Sequence, residues 1–167
     1  MQETAAQYKL RVLGYLDGRP PLALQASVPK KIERLVKAAP PGRLKRRPAP
    51  GKWSVAEILA HLADDELVIG YRYRAVAGQP GAAIQGFDQD RWAESMAYHR
   101  RPPLTSLRNF LALRQINLVL LKSLTPAQWQ LHGLHSERGP ETIEELARLT
   151  AGHDLNHLRQ IEAILNP

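Results

Sequence analysis

Two histidines four residues apart, His153 and His157, lie near the end of the chain in the run His-Asp-Leu-Asn-His, and a third, His61, stands far earlier. Side chains at that spacing share one helical face, so both imidazoles could reach a single cation. Taking about 100° per residue from Ile143, the side chains of Leu146, Thr150, His157, Ile161 and Ile164 fall within an arc of about 60°, with His153 at its edge. Both rings therefore point inward, where an unpaired polar nitrogen costs roughly 1–3 kcal/mol. A shared metal ion removes that cost for both; the alternative reading is a pair of hydrogen-bonded core histidines. His61 shares a stripe with Asp65, Val68 and Arg72, and Asp154 adjoins the apolar arc of the last helix. Asp65 or Asp154 could orient a ligand imidazole or serve as general base. Arg72 could clamp an anionic substrate group or simply pair with an acidic neighbour. His99, His132 and His135 fall in connections and read as surface or loop residues, with His135 able to structure the turn that follows it.

The elements that must position these groups are helices punctuated by Pro and Gly. A short leading helix is expected near residues 4–16, inside an N-terminal extension of 1–19. The first long helix covers about 21–39, kinked or restarted at Pro29 with Ser27 as a cap. Ser54 and Glu57 form a capping box for the second, which fades near Gly78. The third runs from Leu104 to about 123. Thr142 and Glu145 cap the last, which runs to about 165. No strand-like alternation of useful length is found, and Trp53, Trp92 and Trp129 read as anchors for the connections. Segment 78–103 is long for a link between bundle helices. If the second and last helices ran parallel, His61 would lie roughly 10 Å along its helix and the other two roughly 18 and 24 Å along theirs. Run antiparallel, the three levels meet. The metal reading therefore requires one crossover, which 78–103 is long enough to supply.

Composition bounds the rest. The 167 residues, 44% of them hydrophobic, suit one domain spanning 1–167. There is no cysteine, which excludes disulfides, thiolate ligands and cysteine nucleophiles, so any metal is held by nitrogen and oxygen. No apolar run approaches membrane-span length, and Met1-Gln-Glu-Thr-Ala lacks the layout of a signal peptide; the expectation is a soluble, cytoplasmic protein. The net charge of +7 is concentrated between Lys30 and Lys52, without interleaved aromatics. It reads as a solvated face before it reads as a nucleic-acid or anion patch.

The run Trp53-Ser-Val-Ala-Glu-Ile-Leu-Ala-His61-Leu-Ala-Asp-Asp-Glu66, the segment Gly139-Pro-Glu-Thr-Ile-Glu-Glu-Leu, and His153-Asp-Leu-Asn-His157-Leu-Arg-Gln-Ile together resemble the DinB-like superfamily. The resemblance covers roughly residues 20–165. It implies an all-α, up-down-down-up four-helix bundle and a divalent metal, commonly nickel or zinc, on the histidines matching His61, His153 and His157. It also implies a metalloenzyme acting on a small molecule, either a hydrolase or a transferase that uses a low-molecular-weight thiol, and leaves the substrate open. Three imidazoles leave at least one coordination position free, the mark of a catalytic site. Two other readings stand beside this one: a non-catalytic metal-binding bundle, and an anion- or nucleic-acid-binding module using residues 30–52. Leu113 and Leu120, off the main apolar stripe of the third helix, make a homodimer contact a further expectation.

Overall fold

The computed structural model describes residues 4–166; Met1–Glu3, on which part of the signal-peptide reading rests, and Pro167 lie outside the described residues. Four long helices carry the architecture: α2 (Pro21–Ala38), α4 (Val55–Gly78), α6 (Pro103–Ser123) and α8 (Ile143–Leu165). Shorter pieces join them: α1 (Ala5–Gly14), α3 (Pro41–Lys45), α5 (Gln89–Ser95) and α7 (Pro126–Trp129), with strands β1 (Ala83–Ile84), β2 (His132–His135) and β3 (Gly139–Thr142). Both capping boxes form. The Ser54 hydroxyl accepts from the Glu57 amide while the Glu57 carboxylate accepts from the Ser54 amide, and Thr142 with Glu145 repeats the arrangement.

Cross-helix contacts give the directions. Gln25 reaches the Ala147 carbonyl and Lys31 reaches Glu162, so α2 and α8 run parallel. Ala63 packs in one cluster with Leu107 and Phe110, while Tyr73 and Val76 pack in another with Leu121, so α4 and α6 are also parallel. His61 meets His153 and His157, and Tyr73 meets Thr150, so α4 and α8 are antiparallel. This is the up-down-down-up bundle, and the segment after α4 returns the chain to the starting end of α6.

Two expectations need correction. Helix α2 is continuous through Pro29, and Ser27 does not cap a restart: its hydroxyl donates back to the Ala23 carbonyl. Proline cannot donate to the carbonyl four residues earlier, that of Gln25. Arg114 of α6 donates to that carbonyl instead, at 3.1 Å, which removes the orphan a mid-helix proline creates. The second correction is a small sheet in the order β1-β2-β3, with β1 parallel to β2 and β2 antiparallel to β3. Strands of two and four residues are too short to register as alternation. Glycine at 133 makes the sheet's approach to α4 possible, since a Cβ there would stand 2.8 Å from Val76 and 2.7 Å from Ile84. The sheet joins the crossover to the hairpin before α8, and so fixes His135 and the strap at residues 85–88 over one face of α4. Among the described residues no helix is long and apolar enough to cross a membrane.

Candidate metal centre

His61 on α4 and His153 and His157 on α8 converge at the bundle's centre, all buried. Nε2 of His153 lies 2.9 Å from Nε2 of His61 and 3.0 Å from Nε2 of His157. Trp53 packs on His61, ring centroids 5.1 Å apart, which shows what this anchor holds. The Gln160 side-chain oxygen accepts from Nδ1 of His157 at 2.8 Å, so a neutral His157 carries its proton there and presents a bare lone pair at Nε2. A proton on Nε2 of His153 satisfies that lone pair or the His61 nitrogen, and cannot serve both. Without that proton, two lone pairs face each other. No placement of protons completes both contacts, and Nδ1 of His61 and of His153 has no hydrogen-bond partner either.

The donor set fits a cation. Burial, reinforced by the neighbouring rings, drives the His61 and His153 pKa values well below the ordinary imidazole range; Arg114 adds to the effect on His153. Burial and His61 bring His157 down to about 3, against the opposing bond from Gln160. All three are neutral near pH 7, with lone pairs available. Nitrogens about 3 Å apart are also spaced as two ligands on one ion at roughly 2.0–2.1 Å from it.

Beside this cluster lies a second polar group of a different kind. Arg114 of α6 donates to both oxygens of Asp154, at 2.5 and 3.0 Å, and to Glu66 at 2.6 and 3.0 Å. Asn117 donates to the other Glu66 oxygen at 2.9 Å. Burial works against the Arg114 charge, but the two carboxylates more than reverse it and hold its pKa well above normal. Asp154, singled out in the sequence as a base or as a partner for an imidazole, is turned to Arg114 with both oxygens occupied.

Asp65 does border the histidines. Its Oδ2 stands 3.6 Å from Nδ1 of His153, too far for a hydrogen bond. Burial, with the nearby Glu66 charge, pushes its carboxyl up to about 7, against the opposing pull of Arg72. His61, Asp65 and His153 line a cleft of about 540 Å³ that Arg72 and His135 also line. Arg72 donates to the Gln85 carbonyl at 2.6 Å and lies over the Phe87 ring. His135 is buried on β2, which corrects its reading as a surface or loop residue; His99 and His132 are exposed as expected.

Sequence reasoning passed over Glu66, Arg114 and Gln160. The first two carried a signal. Arg114 occupies the core register of Leu107, Leu111, Leu118 and Leu121, and Glu66 that of Leu62, Ile69 and Tyr73. Charges in core registers must find one another.

Comparison with known proteins agrees with this geometry. The chain is 28% identical over 114 residues to a protein of Oceanobacillus iheyensis, a match covering 68% of this chain and 66% of that relative, just under two thirds. It is 25% identical over 135 residues to YfiT of Bacillus subtilis, covering 80% and 76%. Both relatives are named as candidate metal-dependent hydrolases. The solved structure of Bacillus subtilis YfiT, described as having an unusual four-helix bundle topology, superposes with a TM-score of 0.77 at 22% identity, covering 86% of this chain and 84% of that one. The family pattern of the DinB superfamily matches residues 26–161, a span that holds all three converging histidines, and the chain belongs to that superfamily.

Proposed function

We propose that this protein is a metal-dependent hydrolase whose divalent cation, zinc or nickel, is held by His61, His153 and His157. The observation that carries the reading is the proton conflict at Nε2 of His153, which stands 2.9 and 3.0 Å from Nε2 of His61 and of His157, and which a cation resolves and no tautomer does. A divalent ion there supplies Lewis acidity, polarising a substrate carbonyl or phosphoryl oxygen and acidifying a water. The chain's own residues do the rest. Gln160 holds the His157 ring with Nε2 toward its partners. Trp53 covers the His61 ring and keeps bulk water from that side. Asp65, on the cleft wall with Oδ2 3.6 Å from Nδ1 of His153, is placed to take a proton from the attacking water and return it to the leaving group. Thiol transfer would use the same three ligands with a thiol in place of water, and dependence of turnover on added thiol separates the two.

Protein purified without nickel resin is expected to carry close to one divalent ion per chain by elemental analysis, and His153→Ala to carry almost none. Protein that stays folded and metal-free after incubation with zinc and nickel overturns the proposal.

A further inference from the structure

We infer that the cleft beside the three histidines binds the anionic end of the substrate, a carboxylate or phosphate, through Arg72 and His135. This rests on the hydrolase reading for the other end of the molecule. Arg72 and His135 are only 8% and 4% exposed, and both line the cleft that His61 and His153 also line. A guanidinium carries five N–H donors. Arg72 uses one group on the Gln85 carbonyl and forms no ion pair with a carboxylate of the described residues. The other arginine of the cleft differs. Arg138 is committed to Glu141 by two bonds of 2.7 and 2.8 Å.

His135 supplies the second donor. Its Nδ1 accepts the Glu137 amide proton at 3.1 Å, so Nδ1 must be the bare nitrogen. Burial, with the charges of Arg138 and Arg72, keeps the ring neutral. The ring's proton is therefore on Nε2, and Nε2 has no partner. Two nearly buried side chains on separate elements thus bring donors to one cleft, and none of the carboxylates that line it, Asp65, Asp88, Asp90 and Glu137, is hydrogen-bonded to either of them. For the buried Nε2 of His135 the missing partner is a cost that an acceptor from outside removes, and the remaining N–H groups of Arg72 are open to the same acceptor. A planar fork beside a single N–H suits the oxygens of a carboxylate or phosphate.

Ile69, Leu146 and Leu149 add apolar surface to a lining that also carries the carboxylates of Asp65, Asp88, Asp90 and Glu137. Arg72 follows His61 by eleven positions on the same helix, about 16 Å of rise, and because both side chains lean toward the N-terminus the span between them stays on the order of 15 Å. The substrate class is a small molecule with a hydrolysable group at one end and an anion at the other.

Calorimetric titration with butyrate and with inorganic phosphate, on metal-free and on zinc-loaded protein, tests this. Saturable binding of at least one anion to the metal-free protein is expected. Arg72→Gln should weaken it at least tenfold, Arg72→Lys by less, and His135→Phe about threefold. Preference for butyrate assigns a carboxylate, and preference for phosphate a phosphate ester. No saturation by either anion overturns the inference, as does unchanged affinity in Arg72→Gln, or in Arg72→Lys should the first variant not fold. So does binding that needs zinc and ignores Arg72, because the anion then sits on the cation. Because the metal-free arm requires no cation, anion binding and metal binding can fail independently.

Discussion

The centre of this bundle holds two buried polar clusters side by side, and they are built on opposite principles. In Glu66–Arg114–Asp154 each charge meets its opposite, and the guanidinium serves two carboxylates and the Gln25 carbonyl at once. In His61–His153–His157 three nitrogens of one kind crowd together, with more lone pairs than protons to fill them and two Nδ1 atoms unmatched. Burial is equal in the two, so burial does not distinguish them. Completeness does. A closed network spends its interactions on joining α2, α4, α6 and α8, whereas an open one keeps them for a ligand.

That contrast breaks first at Arg114. Replacing it by Met leaves two buried carboxylates without a counter-charge and the Gln25 carbonyl without a donor, so urea unfolding should show a loss of about 3–5 kcal/mol. Adding Glu66→Gln and Asp154→Asn to Arg114→Met should recover most of it. A loss below about 1 kcal/mol in the single variant would mean the network is not closed in the sense argued. The histidine cluster should behave the other way, gaining stability from outside. Zinc at a hundred times its dissociation constant should stabilise the protein by about 2.7 kcal/mol, read as a rise in melting temperature. The same addition should do nothing to His153→Ala.

How much of this could be read from residues alone follows the same division. The long helices were legible because local chemistry marks them: Ser54 with Glu57 and Thr142 with Glu145 each announce a start, and the antiparallel placement of α4 and α8 follows from asking His61 to meet His153 and His157. The closed cluster was not read because Arg114 looks like an interruption of a leucine stripe until its partners on two other helices are known. The same arginine makes the Pro29 expectation fail, because the repair of α2 comes from α6, a contact local patterning cannot contain. His135 was misplaced for a related reason. Its strand is four residues long and exists only by pairing with Ala83–Ile84 and with Gly139–Thr142.

Gln160 sharpens the contrast at smaller scale, since it gives one histidine the single fixed proton in an otherwise unsettled cluster. Gln160→Leu removes the acceptor at Nδ1 of His157 and frees the ring to choose its tautomer. Zinc affinity should fall about 10–100-fold with stoichiometry still one. An unchanged affinity would show that α8 packing alone sets the ring.

Asp65 stands between the clusters and feels both, with the Glu66 and Asp154 charges on one side and Arg72 on the other. Its carboxyl titrates near 7 in the fold against about 3.8 in the unfolded chain, chiefly because burial disfavours the anion. The raised value means the folded state keeps this proton between about pH 4 and pH 7 while the unfolded state has released it. Asp65 therefore contributes a stability that declines as pH rises through that window and is lowest above it. The full difference would correspond to roughly 4 kcal/mol, and the one-fifth exposure of the side chain brings the expectation to about 1–2 kcal/mol. Asp65→Asn cannot ionise, so in metal-free protein it should be more stable than wild type by that amount at pH 8 and equal to it at pH 4. With zinc bound the ordering should reverse, because a cation beside His153 favours the carboxylate over the neutral amide. Stability curves for the two proteins that run parallel from pH 4 to pH 8 would show that Asp65 is solvated like a surface carboxylate, and would remove it as the proton carrier of the cleft.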